Sequence, residues 1–96
     1  MKLTLVVGAV AGAAMSATAL AADAPPGATS CSGCHSPTAA ENATPPRLVG
    51  RDPAKIVAAL AEFRSGQRKA TIMDRIVKGF TPEEVQAIAA WYGAQK

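Results

Sequence analysis

The segment Cys31-Ser32-Gly33-Cys34-His35 holds both cysteines and the one histidine of the chain, and that concentration limits what the rest can fold into. Thiols three residues apart cannot staple distant segments, as the disulfides of small secreted domains do. The 96 residues suffice for one domain, and a domain so small buries too little surface to be stable without some staple. Aromatic residues are few: Phe63, Phe80, Trp91 and Tyr92. Whatever binds at Cys31–His35 is therefore asked to fill a core as well.

Four readings of the pentad compete. A structural zinc ion wants four ligands, and beyond Cys31, Cys34 and His35 the chain offers no further Cys or His. A thioredoxin-like redox pair wants a βαβ context, and no strand pattern is present. A chance pentad in a structural loop is the third. In the fourth, C-x-x-C-H presents two thiols to the two vinyl groups of a haem while the next residue offers its imidazole to the iron. Small Ser32 and Gly33 would let the backbone lie close to the porphyrin edge. The last reading alone also supplies a large apolar core element, and it predicts one covalent haem c.

The N-terminal segment agrees with that chemistry. Lys2 precedes an apolar run over 3–14, and Ala19-Leu20-Ala21 offers the small-x-small pattern read by signal peptidase. The run is short and rich in Ala and Gly for a membrane span of about 20 residues. Residues 1–21 are thus expected to be a cleaved signal peptide and 22–96 the domain, with periplasmic localisation and no membrane insertion after cleavage. An uncleaved anchor is the alternative. The mature chain would carry nine basic and seven acidic residues without a basic run, which argues against a nucleic-acid binder.

Beyond the signal, Met73 is the only methionine. It falls 38 residues after His35, in a break between two helical patterns, where its thioether could reach the far face of a haem as the sixth ligand. Simple core packing is the other role for such a residue.

The local patterns are helical throughout. A short turn leads into Cys31. Asp52-Pro53 pairs an N-cap acceptor with proline at the first helical position, and Ile56, Val57, Leu60 and Phe63 follow on one face before Gly66 stops the helix. Thr71–Lys78 reads as a short helical turn or a loop. Thr81-Pro82-Glu83-Glu84 is a capping box, followed by Val85, Ile88, Ala89 and Tyr92 at i, i+3, i+4 and i+7. Residues 36–51 read as loop. The expected fold is all-α, with three to four short helices.

With C-x-x-C-H near the N-terminus, Pro46-Arg47-Leu48-Val49-Gly50 as P-x-L-x-G, a later methionine and a C-terminal helix, the chain resembles the class I cytochromes c. The resemblance implies that fold and a role in electron transport. It implies too that the Pro46 carbonyl accepts a hydrogen bond from His35 and so fixes the imidazole, although Pro45 could serve instead. A narrower resemblance covers about 60 residues. Phe63-Arg64-Ser65-Gly66-Gln67-Arg68 before Ile72-Met73, then Lys78-Gly79-Phe80-Thr81 and Ala87-Ile88-Ala89-Ala90-Trp91-Tyr92, are similar to two groups. These are the cytochrome subunits of flavocytochrome c sulfide dehydrogenases and the haem domains of cytochromes c4, which carry two such domains where this chain holds one.

That resemblance implies a monohaem subunit taking electrons from a flavoprotein that oxidises sulfide, with FAD only in the partner, and passing them to a downstream acceptor. Nothing in the sequence forms a catalytic site of its own. A free-standing carrier of the cytochrome c4 or c5 type is the alternative, and a haem-based gas sensor or peroxidase with a displaceable Met73 is a third. Of Arg47, Arg51, Arg64, Arg68 and Lys69, one or two are expected to neutralise the haem propionates, Arg68 or Arg64 first; plain solvation of these side chains is the alternative. The loop 36–46, charged only at Glu41, and the stretch around Ile72 are candidate partner contacts.

Overall fold

A computed structural model describes residues 2–12 and 23–96; the expected cleavage point after Ala21 lies outside the described residues. The architecture is all-α, with no strand among the described residues. Among the described residues four helices follow in order: α1 (Ala28–Cys31), α2 (Pro53–Ser65), α3 (Met73–Ile76) and α4 (Pro82–Ala94), with a 3-10 turn at Val77–Gly79 between the last two. No helix among the described residues is long and apolar enough to cross a membrane.

The two long helices start where their capping residues dictate. Asp52 accepts from the Ala54 amide at 3.0 Å, and Pro53 opens α2. Gly66 ends it with a φ of 80°, its amide turned back to the Phe63 carbonyl. At α4 the capping box closes both ways: Glu84 N–H donates to Thr81 Oγ1 at 3.2 Å, and Thr81 N–H to Glu84 Oε1 at 3.0 Å. The 71–78 stretch is helical from Met73 onward, as α3 and then the 3-10 turn, which ends at Gly79 just before the cap of α4.

Helices α2 and α4 pack on each other and carry the two short helices on separate sides. α1 docks on α4 and α3 on α2, and α1 and α3 do not touch. The core is correspondingly small. Ala28, Ile56, Ile88, Ala89 and Tyr92 form its centre, with Leu48, Val57, Leu60, Phe80 and Trp91 only partly buried against it.

Two glycines permit the close approaches. Gly27, at φ 84°, lies under the Phe80 ring, and a Cβ there would come within 2.5 Å of the ring edge. Phe80 therefore packs onto the entrance to α1. Gly93 of α4 faces Pro53 at the start of α2, where a Cβ would sit 2.5 Å from the ring.

Candidate functional site

The C-x-x-C-H segment continues α1 as a tightened turn. Ser32, Gly33 and Cys34 amides bond three residues back, to Thr29, Ser30 and Cys31, and the His35 amide returns to Cys31 O at 2.8 Å. Such winding puts residues i and i+3 on one side, so both thiols project from the same turn. Both are free, Cys34 exposed and Cys31 half-buried. Burial pushes the Cys31 thiol up, partly offset by hydrogen bonding.

His35 Nδ1 lies 2.6 Å from the Pro46 carbonyl oxygen. A carbonyl only accepts, so Nδ1 carries the proton, and in the neutral ring the lone pair is on Nε2. The P-x-L-x-G segment thus fixes the tautomer and the ring plane of His35. The carbonyl used is that of Pro46, not of Pro45.

A buried phenol holds this turn in place. Tyr92 of α4 is 1% exposed. Its hydroxyl donates to Ala28 O at 2.5 Å and takes a hydrogen bond from Ser32 Oγ at 2.9 Å. The helical stripe marks Tyr92 as core, but the polar anchoring role depends on a contact 64 residues away. Tyr92→Phe is expected to cost about 1–3 kcal/mol by stranding the buried Ala28 carbonyl, read by denaturant unfolding of the holoprotein. Burial also pushes the Tyr92 phenol up. The unfolded phenol ionises first, near about 10, so this contribution is complete below that pH and lost as pH rises through the higher folded value. The alkaline loss of stability should be smaller in Tyr92→Phe.

Met73 opens α3 and is half-buried. It stands on an element that does not touch α1, so the thioether and the thiol-bearing turn are carried on separate supports. Arg64 is engaged by backbone: its guanidinium donates to Val77 O at 2.7 Å and to Phe80 O at 2.5 Å, tying the end of α2 to the 3-10 turn. Arg68 pairs with Glu62 at 2.8 Å and lies 5.6 Å from the centre of the Phe63 ring. Arg51 donates to the Arg47 and Glu41 carbonyls. Arg47 differs from these three in keeping a buried Nε without a hydrogen-bond partner. It lines a cleft of about 640 Å³ with Ser32, Val49, Trp91 and Tyr92. A second cleft, of about 250 Å³, lies between α2, Val77 and α4. Neither is lined by His35 or Met73.

The donor set fits a haem. Two free thiols on one turn, an imidazole with Nδ1 held by a carbonyl and a thioether on another element suit thioether attachment and axial ligation. A cluster of three or more His, Cys, Asp or Glu able to hold a bare metal ion is absent among the described residues.

Fold and donor set together define a small all-α protein of the cytochrome c-like class. Comparison with known proteins agrees. Over 64 residues, 67% of this chain, it is 39% identical to the cytochrome subunit of sulfide dehydrogenase from Chlorobaculum tepidum. The match covers 58% of that relative's own length. No family model matches the chain. The chain is thus related to a cytochrome subunit over two thirds of its own length.

Proposed function

We propose that the chain is an exported electron-transfer cytochrome, holding one haem covalently through Cys31 and Cys34 with His35 and Met73 as axial ligands. The observation that carries this reading is the 2.6 Å contact from His35 Nδ1 to Pro46 O, which leaves Nε2 as the coordinating atom beside two free thiols. Bound there, haem supplies a one-electron iron couple. Cys31 and Cys34 fix its edge, and Tyr92 holds their turn against α4. Pro46 keeps His35 oriented and raises its basicity as a ligand. If His35 and Met73 both ligated the iron, no position would stay open for a substrate, which would suit electron transfer rather than catalysis.

The finer reading follows the similarity to a cytochrome subunit of sulfide dehydrogenase. The chain serves as a haem subunit that accepts electrons from a flavoprotein partner oxidising sulfide, in the periplasm. Isolation of the native protein tests it: flavin should co-purify in a stable complex. A solitary monomer without flavin would replace this reading by that of a free-standing carrier.

A further inference from the structure

Met73 stands on a weakly founded element. α3 is a single turn with no buried residue, and its N-cap, Ile72, supplies no side-chain hydrogen bond. Residues 66–69 of the connection leading into it are exposed. One turn of helix is not stable by itself in water, so the position of the thioether has to be set from the other end. There Val77 of the 3-10 turn is buried to 2% exposure, and Arg64 at the end of α2 grips the backbone around it. The Arg64 Nη2 donates to Val77 O at 2.7 Å and also to Phe80 O. Val77 O takes the Phe80 amide as well, at 3.2 Å. A guanidinium is suited to this place, because its donors are charge-assisted and held in a rigid fork.

Phe80 carries the grip further. Its ring covers Gly27 at the entrance to α1, so closely that a Cβ on Gly27 would come within 2.5 Å of it. α1 runs into the turn that bears Cys31 and Cys34, and α1 and α3 do not touch each other. A continuous path therefore leads from α3 through the 3-10 turn to Phe80, Gly27 and the thiols, and Arg64 pins its middle to α2. We propose that Arg64 is the positioning residue of Met73: with Phe80 it forms a clasp between the thioether-bearing and thiol-bearing segments, and so keeps the thioether on the haem iron. This is a different task from neutralising propionates. It rests on the reading of Met73 as the sixth ligand, but not on any particular electron donor.

The test follows two signals of the ferric holoprotein in urea: the thioether-to-iron absorption, and helix by circular dichroism. Arg64→Ala should lose the absorption while its helix is still native. At a given urea concentration the share of molecules without thioether ligation should rise about tenfold, equivalent to about 1.4 kcal/mol, as the loss of a charged hydrogen-bond donor would give. Arg64→Lys keeps a cationic donor without the fork, and should recover part of that change. Asp52→Ala removes the cap at the opposite end of α2 and so costs stability, but it should move both signals together. Phe80→Leu uncovers Gly27 and leaves the carbonyl at position 80 in place, and it too should separate the signals. Combined with Arg64→Ala it should add little, because either change opens the same clasp. If Phe80→Leu does not fold, the Arg64 variants decide. Signals that move together in Arg64→Ala, as in Asp52→Ala, would overturn the proposal, and a changed potential alongside would return Arg64 to the propionates. Effects of Arg64→Ala and Phe80→Leu that multiply in the double variant would overturn the clasp as well. Failure of the Met73 reading shows separately, as an unchanged spectrum in Met73→Ala.

Discussion

Cys31→Ala/Cys34→Ala is expected to yield no recoverable folded holoprotein. The buried apolar residues among the described ones number seven, and two of them are alanines. Burying one Val, Leu or Ile side chain contributes about 1.5–3 kcal/mol, whereas ordering each residue costs about 1.5 kcal/mol. A core of that size cannot hold α1, α2, α3 and α4 together without a further large apolar element. Leu48, Val57, Leu60 and Phe80 are only partly buried by protein, which is what residues that also pack on a bound group look like. Circular dichroism of the double variant should show markedly reduced helix and no cooperative melt. Native-like helical content without haem would mean that the polypeptide core suffices.

Met73→Ala should leave haem attached but change its electronic state. The weak long-wavelength absorption of thioether-to-iron ligation should vanish. The potential should fall, within the roughly 0.8 V range that axial ligation commands, because the thioether favours ferrous iron. The vacated position should bind carbon monoxide or cyanide at neutral pH, and the native protein should bind neither. Stability should change less than in the cysteine variant, since Met73 is only half-buried and α3 still packs on α2. An unchanged spectrum would return Met73 to core packing and revive the search for another ligand.

Local signals in the sequence were enough for the long helices. Asp52-Pro53 and Thr81-Pro82 mark their starts and Gly66 the end of α2, because caps satisfy backbone groups within a few residues. The two thiols and the imidazole stand out for the same reason: C-x-x-C-H is contiguous. What the sequence hid is long-range. The Tyr92 hydroxyl reaches Ala28 and Ser32, Phe80 covers Gly27, and Arg64 binds the Val77 and Phe80 carbonyls. No periodicity reports which backbone carbonyl lies at the end of a long side chain. The 71–78 stretch stayed ambiguous because one helical turn is shorter than the repeat that would identify it.

The covalent link is the centre of the account, and the intact mass of the native protein, taken after acid denaturation and solvent extraction, tests it most directly. The chain should stay heavier than its polypeptide by the mass of one haem, and peptide mapping should place that mass on the fragment containing Cys31 and Cys34. A chain of bare polypeptide mass, with haem passing into the organic phase or absent altogether, would contradict it.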